Sequence, residues 1–239
     1  MFMPSAPNHP PAHGLEHARE TIARLGAAHA REAGSIRLVA VSKKQPAEKV
    51  AAAARAGQVD FAENYLQEGA AKMERVEGML DGDAKLCWHF IGHMQSRKCR
   101  EIAARFDWVH TIDGLKAAEK LNEGRAGRAP LNALIQVNLQ DEDSKSGVDE
   151  RNLAALAEGI SELPNLRLRG LMIIPRPEPD FARQRAVFRR CRELRDQLNA
   201  RGFAMPHLSM GMSGDLEAAI AEGATMLRLG TAVFGPREN

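Results

Sequence analysis

The sequence is poor in residues that staple, stack or span. Its three cysteines, Cys87, Cys99 and Cys191, are odd in number and lack CxxC spacing, which argues against a disulfide framework or a structural zinc site. A reducing compartment, the cytoplasm, is the expectation. Aromatic residues make up 5% of the 239, with one tyrosine, Tyr65, so no ladder of rings suggests single-stranded nucleic acid. Charge of one sign is also missing. Against 31 acidic residues stand 33 basic ones, a formal +2, and no net field advertises nucleic acid or an acidic membrane as partner. No run approaches the roughly 20 apolar residues of a bilayer span. The first residues, MFMPSAPNHPPAHG, have neither the basic start nor the apolar stretch of a secretion signal. A soluble chain is expected, with residues 1–14 as a disordered tail and 15–239 as one domain.

What is present is alternation. Short β-branched or aromatic runs at 36–42, 59–62, 88–91, 108–111, 133–139, 169–173, 207–210 and 226–229 alternate with longer helical patterns. Several runs are followed at once by a helix start: Pro46 before AEKVAAAARAG, Asp113-Gly114 before LKAAEKLN, Asp149 before NLAALAEGI, Ser213-Gly214 before DLEAAIAEG. Strand and helix in unbroken alternation mean parallel pairing with right-handed crossovers. Eight such units, near the typical size of roughly 250 residues, predict an α/β fold, a single (β/α)8 TIM-type barrel. An open doubly wound sheet is the alternative. An extra N-terminal helix over 17–32 is expected to cap one end or pack on the outside.

Parallel α/β folds bind ligands at the carboxyl ends of their strands. There the first strand ends in AVSKK. Strand alternation allows only one of Lys43 and Lys44 to face the barrel axis, and the pattern does not choose between them. A lysine in low dielectric has a depressed pKa and becomes a nucleophile suited to Schiff-base chemistry; the plainer role is a solvated strand end. At the far end, RLGTAVFG takes a strand into a short helix where barrels often hold phosphate. Gly230 and Thr231 are the expected main contacts, with Ser209 and Ser213 of SMGMSGD contributing from the side, since Asp215 and Glu217 compete for their own helix end. Arg228 shares the strand parity of Gly230 and needs a partner, either a ligand nitrogen or a carboxylate across the barrel. Asn64 is by default a helix cap, and equally able to face a ligand. His89 and His93 flank a strand end with no third ligand, so no metal is expected. An exposed face is the reading for Arg183, Arg185, Arg189, Arg190, Arg192 and Arg195.

Together AVSK, FAENYLQE, WHFIGHMQSRK, HTID, QVNLQDEDSKSG, LRGLMIIP, LSMGMSGDLEAAI and RLGTAVFG resemble the pyridoxal phosphate homeostasis protein family, single-domain barrels similar to the N-terminal domain of alanine racemase. The resemblance runs from about residue 17 to 237. It implies pyridoxal 5′-phosphate (PLP) as cofactor, carried as an aldimine by the lysine after Val-Ser, Lys43. It further implies cofactor contacts at Asn64 and Ser213, a phosphate cradle at Gly230 and Thr231, and Arg228 opposite the pyridine nitrogen. Gln45 stands where many relatives have a further lysine, and His93 where a proline is frequent.

Such an arginine cannot take the ring nitrogen's proton, which suits binding or racemase-like chemistry better than transamination. Two-base racemisation needs an acid/base group on each face of the cofactor, and with one tyrosine and no second β-domain in the sequence a carrier is expected. The expected role is PLP homeostasis, buffering or delivery, without amino-acid turnover; an amino-acid racemase is the alternative. PLP-dependent apo-enzymes are the expected recipients and a monomer the expected state. Lys145, in a mobile-looking loop among acids, is a candidate secondary acceptor on the exit path.

Overall fold

The computed structural model describes residues 9–80, 85–140 and 146–236. In chain order it contains α1 (Pro11–Ala28), β1 (Arg37–Val41), α2 (Ala47–Arg55), β2 (Asp60–Glu63), α3 (Leu66–Glu77), β3 (Cys87–Phe90), α4 (Cys99–Arg105), β4 (Trp108–Ile112) and α5 (Leu115–Gly124). The chain continues through β5 (Leu131–Gln136), α6 (Glu150–Ser161), β6 (Leu166–Met172), α7 (Phe181–Ala200), β7 (His207–Ser209), α8 (Leu216–Ala221), β8 (Met226–Leu229) and α9 (Thr231–Phe234). The strands pair in parallel from β1 to β8 and β8 returns to β1, so the sheet is a closed eight-stranded barrel. The open sheet is thereby excluded.

Strand alternation divides the apolar residues into two layers. Val39, Ala62, Trp108, Leu134, Met172 and Met226 point inward and fill the barrel. Their neighbours Leu38, Ala40, Phe61, Val109, Leu171, Leu208 and Leu227 point outward and form the main core with the helices. Asp149 starts α6 as the sequence signals, accepting from the Asn152 N–H at 3.0 Å; Asp180, not among those signals, caps α7 by accepting from that of Arg183 at 2.8 Å.

The N-terminal helix differs from expectation. It begins at Pro11, inside the segment taken for a tail, and ends at Ala28; residues 1–8 lie outside the described residues. Proline at a first helical turn sacrifices only an N–H that has no helical partner, so the Pro10-Pro11 pair opens the helix rather than preventing it. Burying Leu15, Ala18, Ile22 and Leu25, α1 packs on the outside against α9, α2 and α8. Lys145 and the acids before it, residues 141–145, also lie outside the described residues. Among the described residues no helix is long and apolar enough to cross a membrane.

Two ionic clusters lock the outer layer. The arginines of α7 are not simply an exposed face, because Arg185, Arg189 and Arg192 converge on the buried Glu222 after α8, at 2.7 to 3.1 Å, while Arg190 pairs with Glu150. The second cluster lies behind the end of β1. The Lys72 ammonium, on α3, donates to the Ser42 carbonyl (2.7 Å), Glu63 (2.7 Å) and Glu68 (2.9 Å), and the Ser42 hydroxyl donates to Glu63 at 2.6 Å. Lys72 and Glu63 are 6% and 0% exposed. This clasp fixes the peptide that leads into Lys43.

Removing one partner of a buried pair leaves the other charge uncompensated, typically at a cost of about 3–5 kcal/mol. Lys72→Met is therefore expected to destabilise the protein by about that amount in urea denaturation; a change under about 1 kcal/mol would contradict the clasp. Burial alone would raise the Glu222 carboxyl, but bonds from Arg189, Arg185 and Arg192 outweigh it and hold the group below its ordinary range. A depressed carboxyl stabilises above its unfolded pKa, and the contribution is lost as pH falls through the folded value. Glu222→Gln should accordingly cost on the order of 1 kcal/mol at pH 7, the arginine ends being solvent-screened, and much less in acid, measured by denaturation at both pH values.

Candidate functional site

Four adjacent strands, β7, β8, β1 and β2, bring the expected site residues to one side of the carboxyl mouth. Val39 belongs to the inward layer and Val41 packs against it; Lys43 follows two residues later, in the turn at the strand end. The Lys44 φ of 58° is in the left-handed region uncommon for side chains other than glycine, and its backbone N–H is held by Glu68 at 2.5 Å. With Gln45, Glu68, Lys72 and Arg75 it lines a groove of about 470 Å³ between α2 and α3, outside the barrel. Lys43, half-buried, is not part of that lining.

Asn64 stands level with Lys43, because Val41 pairs with Ala62 in the parallel register. It is not the cap of α3; Tyr65 holds that position, and the Asn64 amide oxygen is buried without a hydrogen-bond partner. An unpaired buried oxygen costs about 1–3 kcal/mol, so it marks a place where a ligand donor is wanted. The neighbouring strand end makes room. A Cβ on Gly92 would lie 1.9 Å from the Asn64 carbonyl oxygen, so only glycine lets the backbone after β3 lie against Asn64, and Thr111 pins it by donating to the Gly92 carbonyl at 2.7 Å.

On the other side of Lys43, a Cβ at Gly230 would meet the Val41 carbonyl oxygen at 3.3 Å, which sets the end of β8 directly on the end of β1. Thr231 is exposed at the first turn of α9, and Ser213 is half-buried in the loop after β7. Asp215 folds back to accept the Met212 N–H at 2.6 Å, and burial raises its carboxyl; its bond is made within its own loop.

Arg228 is 4% exposed. Among the described residues it makes no carboxylate pair. Its guanidinium donates to the Ser209 hydroxyl at 2.8 Å and the Ile173 carbonyl at 2.9 Å, and burial lowers it to about 10. Two bonds leave further N–H donors for a ligand. Ser209 departs from expectation: it is 0% exposed, and its hydroxyl is turned into the barrel behind Arg228 instead of lying beside a phosphate turn.

Behind Ser209 the sequence reading missed a connected set. Ser209 Oγ lies 2.9 Å from His110 Nδ1, His110 Nε2 lies 2.9 Å from His89 Nδ1, and His89 Nε2 lies 2.9 Å from Asp60 Oδ1, beside which Arg37 sits at 3.1 Å. The signal was available as polar residues at inward positions of otherwise apolar strands. His93 is elsewhere, exposed and bonded to Ser146 at 2.8 Å. His89 does lie with Asp60 and Cys87, their ligand atoms within 4.8 Å, but the Arg37 guanidinium on Asp60 opposes a cation there.

The geometry is an amine, an unpaired amide oxygen, a glycine turn and a half-anchored guanidinium around one mouth. Comparison with known proteins gives the same direction. The sequence model of the alanine racemase N-terminal domain matches residues 15–238. The pyridoxal phosphate homeostasis protein of Escherichia coli K12 is 48% identical over 228 residues, 95% of this chain and 97% of the relative, and that of Pseudomonas aeruginosa 50% over 227, 92% and 95%. Among solved structures, PipY of Synechococcus elongatus, determined with PLP bound, is 36% identical with a TM-score of 0.78, covering 90% of this chain and all of PipY. Alanine racemase of Corynebacterium glutamicum, 17% identical with a TM-score of 0.69 over 95% of this chain and 62% of its own, shares the fold. With about half its residues in common with the Escherichia coli and Pseudomonas aeruginosa proteins along nearly their whole length, the chain belongs to the pyridoxal phosphate homeostasis protein family.

Proposed function

We propose that this protein binds PLP covalently through Lys43 and takes part in intracellular PLP homeostasis, buffering or delivering the cofactor without turning over amino acids. The observation that carries the reading is the grouping, on three adjacent strands, β8, β1 and β2, of Lys43, the Asn64 oxygen that lacks a partner, the Gly230 turn and the Arg228 guanidinium. PipY, at 36% identity, supports the same choice of cofactor. When bound, PLP supplies an aldehyde to an amine and a ring that withdraws electrons.

The residues divide the work. Lys43 offers the amine from a loop braced by the Lys72 clasp. Gly230 and Thr231 hold the phosphate through backbone N–H groups, with Ser213 beside them, and Asn64 accepts a hydrogen bond from the cofactor. Arg228 donates to the ring nitrogen. As a permanent cation it leaves that nitrogen unprotonated, so the ring is a weaker electron sink than one facing an aspartate. Tyr65, the single tyrosine, is 53% exposed at the start of α3, and a racemase needs acid/base groups on both faces of the ring. Holding and release are thus favoured over turnover, with PLP-dependent apo-enzymes as recipients and a cytoplasmic monomer as the working form.

Addition of PLP should produce an absorbance band near the visible edge that borohydride bleaches, leaving the label on Lys43. Lys43→Ala should lose the band while its melting temperature stays within a few degrees of wild type, since a strand-end truncation opens little cavity. Label on Lys44, or steady racemisation of an added amino acid, would count against the reading.

The cradle is tested separately. Gly230→Val should crowd the Val41 carbonyl and weaken PLP binding at least about tenfold, whereas Thr231→Val should change it about twofold. Fluorescence titration with PLP and with pyridoxal decides it, and pyridoxal binding as tightly as PLP would rule out a phosphate cradle.

A further inference from the structure

The five inward polar residues described above form one continuous path. It begins at Asp60, 15% exposed at the amino-terminal mouth beside a groove of about 430 Å³ under α1, and ends at Arg228 near the opposite mouth. Every link is 2.8 or 2.9 Å, and His89, His110 and Ser209 are fully buried.

The donors along this path can be assigned. Burial holds both imidazoles neutral, His110 most strongly, and although burial alone would raise Asp60, its bonds to His89 and the nearby Arg37 leave it below the ordinary carboxylate range. A neutral imidazole has one donor and one acceptor nitrogen. Facing a carboxylate, His89 Nε2 must carry the hydrogen, so His89 Nδ1 accepts. His110 Nε2 therefore carries its hydrogen, and His110 Nδ1 accepts the Ser209 hydroxyl proton. That leaves the Ser209 lone pairs turned to Arg228. With Asp60 as carboxylate and both rings neutral, no other arrangement satisfies all four links.

We propose that Asp60, His89, His110 and Ser209 are positioning residues, a directed hydrogen-bond chain in which the carboxylate at the amino-terminal mouth fixes how Arg228 is presented to the cofactor pocket at the other. The claim about Arg228 and PLP rests on the function proposed above; the direction of the chain does not. Reversal makes the dependence clear. Without the carboxylate, His89 is free to donate from Nδ1, His110 then donates to Ser209, and the hydroxyl proton must turn elsewhere, toward Arg228. Bonds in such a chain also polarise one another, so the Ser209 oxygen is a better acceptor for Arg228 while it donates to His110. His207, Trp108 and Arg37 pack around the outer half and Asp215 is the charged neighbour of Arg228; among the described residues Cys87 Sγ, 3.4 Å from His89 Nε2, is the other acceptor within reach of the His89 proton, and a thiol sulfur accepts far more weakly than a carboxylate.

The experiment is ¹⁵N-histidine NMR on the cofactor-free protein at pH 7, followed by PLP titration of variants. Wild type should show His89 and His110 as neutral rings protonated at Nε2; a hydrogen on Nδ1 of either ring overturns the proposal without any variant. Asp60→Ala should mix the His110 tautomers, two links away, and weaken PLP binding roughly three- to tenfold. Asp60→Asn retains an acceptor oxygen where both His89 and Arg37 bond, and should keep the wild-type tautomers and bind PLP within about twofold. An unchanged His110 spectrum in folded Asp60→Ala refutes the chain. Wild type that shows the predicted tautomers yet binds no PLP refutes the cofactor reading and leaves the chain standing.

Discussion

A guanidinium sealed inside a barrel is the constraint around which this interior is arranged. Taking such a charge out of water costs several kcal/mol, which its bonding partners offset only in part. Here the partners are a hydroxyl and a carbonyl, not a carboxylate, so the charge of Arg228 is solvated by dipoles and remains available to something else. The rest of the inward surface follows. Polar side chains occupy inward positions on β2, β3, β4, β7 and β8, each with a partner on another strand, while Val39, Leu134, Met172 and Met226 fill the remaining space. A half-satisfied network of this kind would be worse than an apolar core, so its members stand or fall together.

The mouth is supported from outside the barrel. Lys72 and Glu63 reach it from α3 and the outward face of β2, and Gly92 brings the backbone after β3 onto Asn64. Glu63 shows the strain of this arrangement: burial raises its carboxyl although Lys72 opposes the shift, and one of its oxygens has no partner. The strand ends at this mouth thus have backbones held by side chains in a different layer. The β1 loop is therefore held on either side of Lys43, by Lys72 on the Ser42 carbonyl and Glu68 on the Lys44 N–H.

The barrel was legible in the sequence because it depends on alternation, which is local, and strand positions deviate by only a few residues. The start of α1 was not, since Pro10 and Pro11 read as a break until it is known that α9 and α2 offer a surface for Leu15 and Ile22. That Lys43, Asn64, Gly230 and Arg228 lie on neighbouring strands was legible, because motifs and the strand pattern place them there. The roles of Ser209, His110 and Asp60 were not, for they depend on barrel register: Ser209 and His110 are 99 residues apart and meet only because β4 and β7 face the same axis. Arg185, Arg189 and Arg192 misled in the opposite way, because helical spacing shows a charged face but not that Glu222 is buried beneath it.

Both tryptophans lie at the amino-terminal pole. Trp88 packs on Phe61, and Trp108 is stacked on His89, edge-on to His207 at 5.3 Å, with Arg37 5.7 Å from its ring. Burial, with Arg37 and Arg169 nearby, lowers His207 to about 4, so in acid a second cation arrives at the edge of an indole that already faces one. The intrinsic emission of this protein is therefore an optical gauge of the end of the barrel opposite Lys43. Any chromophore held at that lysine would report on the other pole, and the two signals can be read in the same cuvette.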